Sequence, residues 1–116
     1  MIIGIPKEIK NHEYRVGATP SLVRLLVDAG HEVLVQSHAG DKISFTDAMF
    51  TAAGARIVMT PEEIYECEMI IKVKEPLPSE YPLLKEGQIL FCYLHLAPDP
   101  VQTQQLIDSK VVAIAY

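Results

Sequence analysis

The chain has 116 residues, 49% hydrophobic and 22% charged, a composition that excludes a disordered chain and a length that allows one core. Its net charge of −5, from 10 basic and 15 acidic residues, argues against a general nucleic-acid partner, which would favour a basic face. Cys67 and Cys92 form neither a C-x-x-C pair nor a metal-ligand spacing, and Cys92, inside an apolar run, reads as a buried structural thiol of a reducing cytoplasm.

Apolar strand-like runs are predicted at about residues 2–5, 32–36, 56–59, 69–73, 88–94 and 111–115. The chain enters the first of them at once, without a basic, long apolar leader, so no secretory signal is read. No apolar run approaches the roughly 20 residues that span a bilayer, and no membrane partner is expected. Thr19 and Pro20 supply an N-cap and first turn for a helix whose stripe is Leu22, Leu25, Leu26 and Ala29, ended by Gly30. Ser44 with Asp47 offers a capping-box-like start to a second, with Phe45, Met49, Ala52 and Ala53 as its stripe. Thr60-Pro61-Glu62-Glu63 caps a short third helix, and Asp99-Pro100 opens a fourth that runs to about Ser109. Between them, Glu75–Gly87 carries Pro76, Pro78 and Pro82 and is expected to be a loop with one helical turn near Tyr81–Leu84. The closing run Val111–Tyr116 is a strong strand with nothing after it to lie over it, which points to a chain cut from something larger.

Strands alternating with helices imply βαβ crossovers. The expected fold is a three-layer α/β domain, flavodoxin-like or Rossmann-like, with a mostly parallel sheet covered on both faces. In such sheets ligands bind in the crevice outside the carboxyl ends of the strands. Three cationic or titratable groups fall there.

Arg15 follows the first strand across a polar loop and offers a planar fork suited to a carboxylate; alone, a loop arginine is more often just solvated. Lys74 ends the fourth strand, before Glu75-Pro76, and can enter the crevice, while Lys72, of the same parity, is mid-strand and snorkels or sits at an edge. His95 interrupts the apolar run Phe91–Ala97 at the end of an inner strand, where a general acid/base is favoured over a core histidine. His12, His31 and His38 have no such setting, and the sequence carries no metal constellation. The glycines at 4, 17, 30, 40, 54 and 87 form no G-x-G-x-x-G and no P-loop, so no cofactor-binding residue is assigned within this chain. Together the three groups suit a small carboxylate with a reactive carbon beside it.

With these residues in place, the sequence resembles the N-terminal substrate domain of the alanine dehydrogenase/nicotinamide nucleotide transhydrogenase family. The likeness runs in order through Ile3–Glu8, Glu13–Val16, Thr19-Pro20, Ala29–His31, Ala53–Ala55, Ile71–Pro76, Tyr93–Ala97 and Ala113–Tyr116. It implies a part of an oxidoreductase that interconverts L-alanine with pyruvate and ammonium using NAD, in amino-acid catabolism. By the same resemblance Arg15 pairs with the substrate carboxylate, Lys74 binds its carboxylate and carbonyl end, and His95 is the catalytic acid/base. Family members continue into an NAD domain and C-terminal helices, so residues 1–116 would be an incomplete substrate domain, inactive alone, from a cytoplasmic enzyme commonly hexameric when full length. His95 disfavours the transhydrogenase relatives, which generally lack it, and His95-Leu96-Ala97-Pro98-Asp99 disfavours lysine-forming saccharopine dehydrogenases. The other class of reading is a non-catalytic flavodoxin-like binding or assembly module.

Overall fold

A computed structural model describes all residues, Met1–Tyr116. The elements alternate as expected: β1 (Ile2–Ile5), α1 (Pro20–Asp28), β2 (Glu32–Gln36), α2 (Asp47–Ala52), β3 (Arg56–Val58), α3 (Pro61–Tyr65), β4 (Met69–Lys74), β5 (Ile89–Tyr93), α4 (Pro100–Ser109) and β6 (Val112–Ala115). One 3₁₀ turn, Tyr81–Leu83, interrupts the proline-rich β4–β5 connection, and another, Asp41–Ile43, precedes α2. All six strands are parallel, in the order β3-β2-β1-β4-β5-β6. This is the Rossmann order and not the flavodoxin one, and its direction reverses between β1 and β4.

Strand alternation divides the core. Ile3, Ile5, Val33, Val35 and Ile71 point to one face, against Val23 of α1 and Phe50 of α2. Leu34, Ile70 and Leu90 point to the other, against Ile64 and Tyr65 of α3 and Leu106 of α4. Cys67 and Cys92 are both buried and unpaired. Burial pushes their thiols up to about 11 and about 12, which leaves them inert, for Cys92 the structural role expected.

Three of the four caps read from the sequence are present. Thr19 Oγ1 accepts the Leu22 N–H at 3.1 Å, Thr60 and Glu63 form a reciprocal capping box, and Asp99 Oδ1 accepts the Gln102 N–H at 2.9 Å. Three expectations fail. Helix α1 buries Val23, with Leu26 and Val27 half-buried, while Leu22 and Leu25 are 38% and 66% exposed and Ala29 faces solvent. Helix α2 is capped by Thr46, because Ser44 takes a left-handed φ of 66° to close the preceding turn, and the Asp47 carboxylate instead binds Ser37 Oγ and the His38 N–H. Its buried residue is Phe50, not Met49. The sheet is also not covered throughout. No helix lies in the β4–β5 connection and α4 packs on the α3 face, so Val112 and Ile114 stay about half exposed on the α1 face.

Candidate functional site

The β1–α1 loop is drawn onto β4 at one point. A Cβ on Gly17 would collide with the Ile71 carbonyl and lie 3.1 Å from Lys72 Cα, so only glycine permits this backbone-to-backbone approach. Val16 and Ala18 on either side are buried in the core beneath α1, which fastens the loop and leaves Arg15 at its rim with its side chain 62% exposed. The guanidinium is not free to wander. Its Nε and Nη2 donate to the two Glu13 carboxylate oxygens at 2.9 and 2.8 Å, and the Arg15 N–H donates to Glu13 Oε2 at 3.0 Å. This side-on pairing leaves the end of the fork, at Nη1, open to a ligand.

The hydrogen bonds from Arg15 hold the Glu13 carboxyl at about 2, and the Lys74 ammonium is near enough to lower it further. Lys74 is thus within electrostatic range of the carboxylate that braces Arg15. We expect the Glu13 carboxyl to titrate at about 2 in a ¹³C NMR pH series, against an ordinary 4.5, and to return toward that value in Arg15→Ala. The sign follows: the pair stabilises the folded chain above the ordinary glutamate range and loses its effect as pH falls toward 2. A Glu13 that titrates normally in the unaltered chain refutes the pairing.

Lys74 stands at the end of β4, its Nζ 5.3 Å from the centre of the Tyr93 ring. The Tyr93 ring in turn lies 5.8 Å from the His95 imidazole, so Lys74, Tyr93 and His95 form a row across the ends of β4 and β5. His95 is two residues beyond β5, exposed, and in a left-handed conformation with φ 52°. The turn that carries it is pinned from behind: Gln102 of α4, fully buried, donates its side-chain N–H to the Leu94 carbonyl at 2.9 Å. All three residues read from the sequence thus lie at the carboxyl edge, on β1–α1, β4 and β5–α4. No single cavity encloses them. The hollow at Arg15 is lined by Lys7, Glu8, Glu13, Tyr14, His38 and Lys42, among others, and reaches neither Lys74 nor His95. A separate hollow between Ile2, Glu32, Arg56 and Cys67 lies at the opposite, amino end of the strands.

Lys72 departs from expectation. It neither snorkels nor lies at an edge: it is 1% exposed on a central strand, with Nζ 3.4 Å from Glu8 Oε2 and 3.3 Å from Glu80 Oε2. Tyr65 Oη donates to the same Glu80 oxygen at 2.8 Å. Glu8 and Glu80 were missed because a loop carboxylate looks solvated in a sequence. Glu13 was missed too, although its spacing from Arg15 is compatible with a local pair. Tyr93 read only as part of an apolar strand.

A dinucleotide finds no cradle among these residues. In the β1–α1 connection, where a Rossmann fold holds a pyrophosphate, the one glycine is pressed against β4. The fold is that of a Rossmann-type α/β domain, with Arg15, Lys74 and His95 at the carboxyl edge of its sheet.

Comparison with known proteins agrees. Residues 4–116 match the model of the alanine dehydrogenase/PNT N-terminal domain, and the chain belongs to that family. It is 56% identical over its whole length to an alanine dehydrogenase of Methanococcus maripaludis and 55% identical to alanine dehydrogenase 2 of Staphylococcus aureus. In each case it spans 31% of the relative's length. Among solved structures, an L-alanine dehydrogenase superposes over all of this chain and 32% of its own with a TM-score of 0.98 at 50% identity. A transhydrogenase from Sinorhizobium meliloti superposes over 99% of this chain and 33% of its own with a TM-score of 0.93 at 23% identity, which establishes the shared fold alone.

Proposed function

We propose that this chain is the substrate-binding portion of an NAD-dependent alanine dehydrogenase, which interconverts L-alanine with pyruvate and ammonium. The observation that carries the reading is the row Lys74–Tyr93–His95 beside the Glu13-braced Arg15, all at the carboxyl edge of the sheet. The open end of the Arg15 fork receives the substrate carboxylate, and the Lys74 ammonium takes the carboxylate and carbonyl side of the same molecule. Two cations from different elements fix both position and approach angle of a three-carbon acid. His95, exposed on its turn, moves protons to and from the oxygen that leaves as the carbinolamine collapses. Hydride exchange at the substrate α-carbon is the chemistry NAD supplies, and in this proposal NAD is held outside these 116 residues, which do not fit it. The whole enzyme is proposed to be a cytoplasmic homo-oligomer, hexameric in keeping with its family.

The test is a titration of the ¹⁵N-labelled chain with pyruvate. We expect saturable shifts confined to Arg15, Lys74, His95 and their neighbours, with lactate and acetate as weaker competitors. A folded sample in which these residues do not respond removes the substrate-site reading and favours a non-catalytic module.

A further inference from the structure

Strand β4 is not regular where it ends. Ile71 lies opposite Phe91, yet Lys74 lies opposite Tyr93, so β4 uses one more residue than β5 over the same span. This is a β-bulge, a device that re-aims a side chain beside a site. Its backbone shows the same thing: successive N–H groups of a regular strand point opposite ways, but those of Val73 and Lys74 both point at Glu8. Val73 N–H donates to Glu8 Oε2 at 3.3 Å and Lys74 N–H to Oε1 at 3.0 Å. The cause lies in β1. It pairs with β4 only at Ile3 and Gly4, then reaches Pro6, which cannot donate to a ladder, so β4 runs on past its neighbour. The Glu8 side chain, 2% exposed, stands where that neighbour is missing, and Lys72 Nζ at 3.4 Å balances its charge. On the other edge, Tyr116 Oη donates to the Lys72 carbonyl at 2.5 Å.

We propose that Glu8 is the positioning residue for Lys74: its buried carboxylate holds the β4 bulge that turns the Lys74 ammonium over the Tyr93 ring and toward the substrate. The functional part of this rests on the role given to Lys74 above; the positioning itself does not. Glu8 touches no reacting atom. It acts through the two backbone N–H groups it collects, and a neutral amide in its place has one oxygen where two acceptors are needed.

The Lys74 Nζ lies over the Tyr93 ring at 5.3 Å from its centre, so the adjoining ε-methylene NMR resonance is expected to feel the ring current and to report the ammonium's position without any ligand. In Glu8→Gln that resonance should move back toward the value of a free lysine, and pyruvate affinity should fall by about ten-fold, as for a displaced anchor. Glu80→Gln is the control. It takes an equally buried partner from Lys72 but leaves the bulge untouched, and should keep both the Lys74 resonance and pyruvate binding. If Glu8→Gln does not fold, Glu8→Asp carries the test: it keeps the charge but not the reach, and the resonance should still move. An unmoved Lys74 resonance in a folded Glu8 variant overturns the proposal, as does an equal movement in Glu80→Gln. Failure of the unaltered chain to bind pyruvate counts against the substrate-site reading, while the Lys74 resonance still decides the role of Glu8.

Discussion

Replacing Lys72 with methionine will lower the unfolding free energy by about 3–5 kcal/mol at neutral pH, the size of loss seen when one member of a buried ion pair is removed. The volume stays filled, so packing is not the cause. What remains is a pair of buried carboxylates, Glu8 and Glu80, brought by two loops against the central strand β4 with no cation to face. Burial already raises the Glu8 carboxyl, and the attraction of Lys72 is the largest force opposing it. Without Lys72 that carboxyl rises further. A raised carboxyl favours the folded state below its ordinary range and costs stability as pH climbs through the raised value. The variant should therefore regain stability from pH 7 to pH 5.5, whereas the unaltered chain changes less over that window. Urea unfolding at both values measures this, and a variant as stable as the parent at pH 7 sinks it. With total stabilities of about 5–15 kcal/mol usual for a domain, the loss is enough to unfold a marginal one.

Arg15→Ala should weaken pyruvate binding by about 2 kcal/mol, roughly thirty-fold, the lower end of what truncating one partner of a charge pair costs. The lower end applies because the guanidinium is 62% exposed and screened by solvent. Fold stability should fall only by what the Glu13 pair contributes, since the residue sits outside the core. Affinity retained within a few-fold would leave Lys74 as the sole anchor and remove Arg15 from the site. Glu13→Gln makes an instructive companion. It frees the guanidinium from its side-on brace, and binding should weaken less than in Arg15→Ala because the charge persists.

The parts of this molecule that a sequence announces are those whose cause is local. Thr19-Pro20, Thr60–Glu63 and Asp99-Pro100 each carry their cap within four residues, and each starts a helix where expected. The facing of α1 was not legible, because Leu22, Val23, Leu25, Leu26 and Val27 make more than half its circumference apolar. Only contact with β1 and β2 selects Val23. Lys74 and His95 could be found from their place at strand ends. The burial of Lys72 could not, since its partners are 64 residues before it and 8 after it. Gly17 was visible as a glycine but not as the contact that places Arg15 near Lys74; that needs β4 beneath it.

The place of β1 in the sheet has a bearing on how the chain is made. Of these six strands the one made first, β1, lies between β2 and β4, so the middle of this sheet is synthesised before either of its sides. The β1-β2-β3 half can close once Val58 has emerged, with α1 and α2 over it. Glu8, however, waits with its charge unmatched until Lys72, Val73 and Lys74 arrive. Pairings this distant close slowly. Until they do, the growing chain carries a half-sheet with one open central edge, the state in which it most needs shelter from its neighbours.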